Sequence, residues 1–531
     1  MRKHHLAAIM ALVCVSLAML PFACRAAETH REDLHQMEKS LPYRSVSFHR
    51  GRADKDLIKL SADIGFNECM IQLEGGTVGP LKDFAERNKT EHYIDFCHDL
   101  GMKATLWVHE FADIPGDIGP IEIGNQKLWS LLEDRYEWLF SELLPDIDGI
   151  VLTVVETQID ATKAELMIRI VEILREKCNK YDKSLVVRTF VHHPSQLEGV
   201  MGCVERLPQD TVIMTKCVPQ DWQMRGVHNP VIGNVGGREQ IIESDVAGEY
   251  FLKDQVANCM PQLLKEQFDY QVSKGVKGIC VRVDRDDSQI LHLPQEVNLY
   301  ALGMFACGKT DSVAEVWNTW AEARFGKDAA AGVIKALKPT QQVITECLNV
   351  GSFSFGDTRF DPPNGDADAF HTNWSNWRWD ESYLPEYKLA AAGDPQVIEK
   401  TKQQKSEALE LAAQCLDDLE LVKDTLEPAD YDILRTKLFT NLVQLEYRAP
   451  MMLAYLRYKR ILNTEDESQK RALAADIRTD VSKMREVAGR TYDQPRHINH
   501  RGSTWTVGAP GWFEPTVINE WVDKMETLLD E

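Results

Sequence analysis

The sequence predicts a (β/α)8 barrel followed by a mostly α-helical C-terminal region, and two patterns lead to that prediction. Between residues 43 and 285, short apolar runs alternate with longer amphipathic segments. Strand and helix alternating eight times is the pattern of a closed parallel barrel. From about residue 290 onward, apolar residues instead recur at helical spacing. The alternative, an open doubly wound sheet, should carry a glycine-rich phosphate loop after its first strand, and "HRGRADKD" is not one.

Each predicted strand is a short apolar run, and a glycine closes several of the helical segments between them. Glycine is the residue that most often ends a helix, and "DIG", "DLG" and "SKG" fit that signal. The predicted strands are "SVSFH" (45–49), "ECMIQL" (68–73), "ATLWVH" (104–109), "GIVLTVV" (149–155), "LVVRTFV" (185–191), "TVIMTK" (211–216), "EQIIES" (239–244) and "GICVRV" (278–283).

The N-terminus has the features of a secretory leader. A basic start is followed by an apolar stretch and by small residues up to Ala27, which predicts a signal peptide over residues 1–27. A secreted or periplasmic protein is therefore expected. An uncleaved membrane anchor is the alternative, because the apolar run is near spanning length. No later segment is apolar enough to span a bilayer, so no stable span is expected once the leader is removed.

The remaining chain divides into a predicted barrel over residues 28–325 and a helical domain over residues 326–531. The helical part is interrupted at 352–385 by a segment rich in glycine, proline, aspartate and tryptophan. Two interpretations stay open for this Trp-rich loop. It is either a linker or a flap that carries aromatic rings towards a sugar site, namely Trp374, Trp377 and Trp379.

Charge and cysteine content exclude some classes of function. The formal net charge is −22 without a basic stripe, which argues against a nucleic-acid partner. An acidic substrate remains compatible with this charge, because a local cationic pocket can exist inside an acidic protein. Cysteines outside the leader show no CxxC spacing, so no zinc site is expected, and several lie in apolar runs as buried thiols.

Ionisable residues crowd the predicted C-terminal ends of the strands, where barrels of this class place their active sites. Several carboxylates in one cleft suggest glycoside hydrolysis, in which one acid protonates the leaving oxygen and another activates water or attacks carbon. The same carboxylates are also suited to a divalent metal, or to helix capping and salt bridges. The strand ends deliver His49, Gln72, Glu74, His109, Glu110, Glu156, Arg188, His192, Lys216, Asp221, Glu243, Asp245, Glu249, Arg282 and Asp284.

The stretch "TKCVPQDWQMRGVHNPVIGNVGGREQIIESDVAGEY" (215–250) resembles the catalytic core of glycoside hydrolase family 67, the α-glucuronidases. "VVRTFV" (186–191) and "NLYALGMFACGKTDSVAEVWNTWAEARFG" (298–326) are similar to that family's sequence on either side. The family's N-terminal β-sandwich is not expected here, because only residues 28–42 separate the leader from the predicted barrel. The residues that match the family pattern are Lys216, Pro219, Asp221, Trp222, Gln223, Glu249 and Tyr250.

The resemblance implies an inverting hydrolysis that needs no cofactor. Glu156 matches the family's general acid, and Asp221 with Glu249 matches the pair that activates the attacking water. Lys216 and Arg188 match residues that hold the sugar's carboxylate. These charge-assisted contacts are the physical reason for a cation at a strand end facing a uronic acid.

The sequence also departs from the family pattern. A second lysine expected four residues before the general acid is replaced by Leu152, so His109, His192 or Arg282 would have to supply the missing contact. Gly248 stands where the family has glutamine. Trp222 either stacks on a sugar ring or packs beneath its loop, packing being the commoner fate of such a residue.

The sequence therefore predicts a secreted inverting glycoside hydrolase that releases an α-linked uronic acid, glucuronic acid or its methyl ether, from a glycan such as a xylan fragment. Three alternatives stay open. They are a related exo-glycosidase for another sugar, a non-catalytic glycan-binding protein on the same scaffold, and a metal-dependent lyase or isomerase. The oligomeric state is left open.

Overall fold

The computed structural model describes most of the chain, and every structural statement below concerns that part. The described residues are 40–48, 54–72, 90–112, 118–155, 157–191, 193–219, 222–249, 252–285, 288–354, 376–490, 497–498, 504–505 and 515–530. The predicted leader lies outside them. In the described part no helix combines the length and apolar character needed to cross a membrane.

Eight parallel strands close into a barrel, each pairing with its neighbours in sequence and the last pairing with the first. This confirms the predicted fold class. The strands are β1 (Tyr43–Phe48), β2 (Glu68–Gln72), β3 (Lys103–His109), β4 (Gly149–Thr153), β5 (Ser184–Arg188), β6 (Val212–Lys216), β7 (Gln240–Asp245) and β8 (Gly278–Arg282). All eight predicted strands are present, with ends that differ from the predicted ones by three residues or fewer.

Helices between the strands cover the outside of the barrel. The first of them ends at Gly65, whose φ of 119° only glycine adopts without strain and whose N–H bonds the carbonyl of Ser61. Between β6 and β7, the described residues contain turns but no helix. The helices are α1 (Lys55–Ile64), α2 (Thr90–Asp99), α3 (Gln126–Trp138), α4 (Ala164–Lys180), α5 (Leu197–Arg206), α6 (Pro261–Ser273) and, after β8, α7 (Glu296–Ala306).

The C-terminal part is helical, as predicted. Its core is continuous with that of the barrel, because one apolar cluster runs from Val46 in β1 to Ala449. A second cluster lies farther out, among the last helices. The helices are α8 (Val313–Phe325), α9 (Lys327–Leu337), α10 (Thr340–Leu348), α11 (Leu384–Ala391), α12 (Pro395–Glu420), α13 (Pro428–Leu462), α14 (Glu467–Arg490) and α15 (Pro515–Asp530).

The inside of the barrel is filled by its own small apolar cluster, which includes Trp107, Val186, Met214, Ile241 and Cys280. Side chains of a strand alternate between its two faces, so the residue two positions farther along lies on the same face. Beyond this apolar layer the inward positions become ionisable at the C-terminal strand ends. They are His109, Arg188, Lys216, Glu243 and Arg282.

Candidate active site

The structure describes six of the nine predicted site residues. Three of the predicted residues, Glu156, Asp221 and His192, lie outside the described residues, so their predicted roles stay predictions. The six that are described all lie at or just beyond the C-terminal ends of the strands. They are His109, Arg188, Lys216, Trp222, Glu249 and Arg282.

Arg188 and Glu243 form a buried, two-point ion pair across the mouth of the barrel. The Nε and Nη2 atoms of Arg188 donate to the two carboxylate oxygens of Glu243 at 2.6 and 3.0 Å. The guanidinium carbon lies 4.8 Å from the ring centroids of both Trp107 and Phe190. Planar pairing and aromatic contact both favour arginine over lysine at this position. Of the guanidinium nitrogens, Nη1 has no hydrogen-bond partner among the described residues, which leaves an N–H for a ligand.

Lys216 lies beside this pair at the end of β6, opposite Glu243 in the strand register. Its ammonium group is 3.9 Å from the ring centroid of Phe190 and 5.1 Å from that of Trp222. The side chain is buried, which removes it from competing water. A buried cation against two aromatic faces is well suited to bind an anionic group.

Glu249, the predicted member of the water-activating pair, is held by Arg282. The Nη1 atom of Arg282 donates to Oε2 of Glu249 at 2.7 Å, and both side chains are buried. The Nε atom of Arg282 is buried without a hydrogen-bond partner in the part of the chain that is described. Arg282 therefore orients Glu249 and still has a donor to offer.

Asp245, the last residue of β7, fixes the turn that leads to Glu249. One carboxylate oxygen accepts the N–H groups of Ala247 and Gly248 at 2.9 and 3.2 Å, and the other accepts the N–H of Glu249 at 2.7 Å. Gly248 has a φ of 75°, in the left-handed region that favours glycine. This turn conformation is a physical reason for glycine at the position where family 67 has glutamine.

Burial and neighbouring charges shift the pKa values of Asp245 and Arg282 at the barrel mouth. Burial raises the pKa of Asp245 to about 6, Arg282 opposes this shift, and Glu249 adds to it. Burial alone would lower the pKa of Arg282, but the surrounding carboxylates, Glu249 first, raise it overall. Arg282 therefore stays protonated, and it counters the repulsion between these two carboxylates.

Some ionisable residues at the strand ends have other roles. Glu110 is fully buried and accepts a hydrogen bond from the hydroxyl of Tyr136 in α3 at 2.6 Å, so it connects the barrel to that helix. His109 is half-buried, and its ring is stacked on Trp107 with centroids 6.4 Å apart. Trp222 is buried, with its ring centroid 5.1 Å from the ammonium group of Lys216.

Leu152, which replaces the second lysine of family 67, and its neighbour Thr153 are the next features of the site. On β4, Thr153 accepts a hydrogen bond from the indole N–H of Trp107 at 2.8 Å, and Leu152 is part of the outer core, so neither residue supplies a cation. In the Trp-rich loop, Trp379 packs against the main core cluster and Trp377 against the second one. Trp374 lies outside the described residues.

Four residues to which the sequence assigned no role are central to this geometry: Glu243 and Asp245, which it placed only at a strand end, and Phe190 and Trp107. Period-two alternation from Arg188 and from His109 would have identified Phe190 and Trp107 as inward-facing. No local signal identifies Glu243 as the partner of Arg188, because the two residues are 55 positions apart.

The carboxylates of the described mouth do not form a metal-binding group. Among the residues that the structure describes, no three histidine, cysteine, aspartate or glutamate side chains are grouped so as to hold a metal ion.

All ten cysteines of the described chain are free thiols, and all but Cys307 are buried, as predicted for cysteines in apolar runs.

Comparison with known proteins supports the fold. No family model and no curated protein sequence matches the chain. Among solved structures, a GH138 enzyme targeting pectin rhamnogalacturonan II is similar, with a TM-score of 0.62, 10% identity, and coverage of 93% of this chain and 69% of that one. At this identity the likeness shows a shared fold.

Two further solved structures are similar at lower scores. A family GH115 4-O-methyl-α-glucuronidase with specificity for decorated arabinogalactans has a TM-score of 0.46 and 11% identity, covering 84% of this chain and 59% of that one. An O-GlcNAc hydrolase mutant from Thermobaculum terrenum has a TM-score of 0.44 and 11% identity, covering 91% and 94%. The fold of this chain, a (β/α)8 barrel with a helical C-terminal region, is shown by its own strand order and helices.

Proposed function

We propose that this protein is a secreted glycoside hydrolase that releases an α-linked uronic acid, glucuronic acid or its methyl ether, from a glycan such as a xylan fragment. The observation that carries the proposal is the buried pair of Glu249 and Arg282 at 2.7 Å, at the end of the barrel where (β/α)8 enzymes react. The shared fold with an enzyme targeting a pectin polysaccharide supports a glycan substrate.

An acidic sugar is favoured by the donors at the mouth. The buried guanidinium atoms Nη1 of Arg188 and Nε of Arg282 lack partners among the described residues, and Lys216 adds a third cation. A buried N–H without a partner costs about 1–3 kcal/mol, and a bound carboxylate would recover this cost. A neutral sugar would offer only hydroxyl groups, which form weaker hydrogen bonds to a charged donor than a carboxylate does.

The proposed chemistry follows the inverting scheme implied by the resemblance to family 67. A water molecule attacks the anomeric carbon, and its proton passes to Glu249 or Asp221. The bond between that carbon and the glycosidic oxygen breaks as Glu156 gives its proton to the leaving oxygen. In this scheme Arg282 orients Glu249 towards the water, because its Nη1 atom donates a hydrogen bond to one carboxylate oxygen of Glu249.

The test measures release of reducing uronic acid from glucuronic-acid-bearing xylo-oligosaccharides and from pectin. Wild type is expected to release the sugar, and Glu249→Gln to lower kcat by about 10³-fold or more, because proton transfer at the water is lost. Glu239→Gln is the matched control, because Glu239 also flanks β7 but bonds Tyr43 at the opposite end of the barrel. NMR of the first-formed anomer reports whether the configuration inverts.

The alternatives give different results in the same assay. A glycan-binding protein would retain affinity for the oligosaccharide in both forms and release nothing. A hydrolase for another sugar would leave uronic acid on the glycan while releasing a different monosaccharide. A metal-dependent lyase or isomerase would lose its activity in a chelator, which the proposed hydrolase would not.

A further inference from the structure

Two segments follow the candidate water-activating residues, and both are held by side chains of the C-terminal helical region. The first, residues 222–229, comes directly after Asp221 in the chain, and the second, residues 252–260, follows the turn that carries Glu249. In the described part neither segment pairs with a barrel strand, so their backbone groups need other partners when buried.

The second segment receives its partners from four buried side chains. Asn441 of α13 bonds Ala257 at both ends of the residue, accepting from its N–H at 2.9 Å and donating to its carbonyl at 2.8 Å. Thr340 of α10 accepts the N–H of Cys259 at 3.1 Å. On the barrel side, Asn298 of α7 accepts the N–H of Met260 and donates to the carbonyl of Asn258. Gln295 donates to the carbonyl of Val256 at 2.7 Å.

The first segment is held in a similar way by Asn376, which lies in the described part of the Trp-rich loop. Its amide donates to the carbonyl of Arg225 at 2.7 Å and accepts from the N–H of Val227 at 3.3 Å. The guanidinium of Arg225 in turn binds the carboxylate of Glu346 in α10, which also binds Lys405 of α12. All of these partners except Arg225 and Val227 belong to the helical region.

We infer that Asn441 and Asn376 are positioning residues for the reaction, and that the helical region holds the two described segments, 222–229 and 252–260, that follow the candidate water-activating residues in the chain. The inference rests on the proposed function. An amide that bonds both the N–H and the carbonyl of a buried loop fixes its position along two directions at once. A catalytic carboxylate displaced by 1 Å can lose about 10²-fold in rate, so loosening either loop should reduce turnover.

The chain offers a matched control for this geometry. Asn67 also spans two backbone groups, accepting from the N–H of Arg44 at 3.0 Å and donating to the carbonyl of Pro42 at 2.9 Å. It lies at the opposite, N-terminal end of the strands. Asn67→Ala therefore removes the same kind of two-point contact away from the candidate site, from a side chain that is half-buried.

The experiment compares Asn441→Ala, Asn376→Ala and Asn67→Ala for kcat, KM and amide hydrogen exchange in the full-length protein. For the first two we expect kcat to fall roughly 10-fold or more while KM stays within about twofold, and for Asn67→Ala an unchanged kcat. Exchange should accelerate over residues 246–260 in Asn441→Ala and over 222–229 in Asn376→Ala. Should Asn441→Ala not fold, Asn441→Asp keeps the acceptor for the N–H of Ala257 and replaces the donor to the carbonyl of Ala257 by a carboxyl oxygen.

The two hypotheses fail separately. Absence of uronic acid release by wild type overturns the proposed function, and the exchange data then decide the positioning role without any turnover. Unchanged exchange in both segments overturns the positioning role. An equal loss of kcat in Asn67→Ala would also overturn the positioning role, because the loss of kcat in all three variants would then come from general destabilisation.

Discussion

Asp245 controls the position of Glu249, because it accepts three backbone N–H groups in the turn between them. Its carboxylate is buried beside Arg282, and burial dominates the balance of forces on it. The helix or strand propensity of aspartate does not identify this role. The side chain acts by fixing local backbone geometry, which is a common use of aspartate after a strand.

The raised pKa of Asp245 should also make the free energy of unfolding depend on pH. Burial raises its pKa from 3.8 to about 6, so between these values the folded protein binds the proton more tightly than the unfolded chain. Stability from this group is therefore greatest below pH 3.8 and falls as pH rises to about 6, by about 3 kcal/mol for a shift of about two pH units. We expect Asp245→Asn to remove this part of the slope.

The measurement is urea unfolding between pH 4 and pH 7.5. Asp160→Asn serves as the control, because a hydrogen bond from Thr162 lowers the pKa of the exposed Asp160, which places its titration below this window. Parallel stability curves for wild type and Asp245→Asn would show that Asp245 titrates in the folded protein as it does in the unfolded chain.

At the scale of elements, the turn from β7 to Glu249 depends on a glycine. Gly248 has a φ of 75°, and Gly101, at the opposite end of the barrel before β3, has a φ of 71°. Alanine costs about 1–2 kcal/mol in this conformation at either position. A Cβ at Gly101 would have nothing within 4 Å, so its substitution reports backbone strain alone.

We expect Gly248→Ala and Gly101→Ala to lower the free energy of unfolding by similar amounts, and only Gly248→Ala to lower kcat. The reason is that strain at residue 248 is relieved by moving Glu249, its neighbour in the chain. Thermal unfolding and uronic acid release measure the two effects. Equal activities of the two variants would contradict the role of the turn in placing Glu249.

At the scale of the whole molecule, the barrel and the helical region share one core. The main apolar cluster includes Val46 and Leu106 of the barrel together with Val343, Ala408 and Leu438 of the C-terminal helices. The sequence suggested a boundary near residue 325 because the spacing of apolar residues changes there. A change in periodicity marks a change of secondary structure, whereas a domain boundary requires that few contacts cross it.

This shared core predicts that a fragment ending at residue 325 will not unfold cooperatively, because large apolar surfaces of the barrel helices would face water. A fragment ending at residue 462 is the control. It lacks α14 and α15, which belong to the second cluster, and it keeps the main core. Near-ultraviolet circular dichroism and urea unfolding distinguish the two. A cooperative transition in the shorter fragment would show that the barrel is an independent domain.

The sequence by itself determined the eight strands, the helical C-terminal region and the position of ionisable residues at the strand ends. These features depend on local periodicity, on glycine at helix ends and on the rule that parallel barrels react at one end. The resemblance to family 67 added expected roles: Glu249 as a water-activating residue, and Lys216 and Arg188 as residues that hold the sugar's carboxylate. The structure describes the surroundings of all three residues.

Only the tertiary structure decided which partners these residues have. Arg188 pairs with Glu243 and Glu249 pairs with Arg282, while Asn441 binds Ala257 from 184 positions away. Such pairs depend on the closure of the barrel and on how helices dock over its mouth. Both arise from the sum of many long-range contacts, and no short stretch of sequence encodes them.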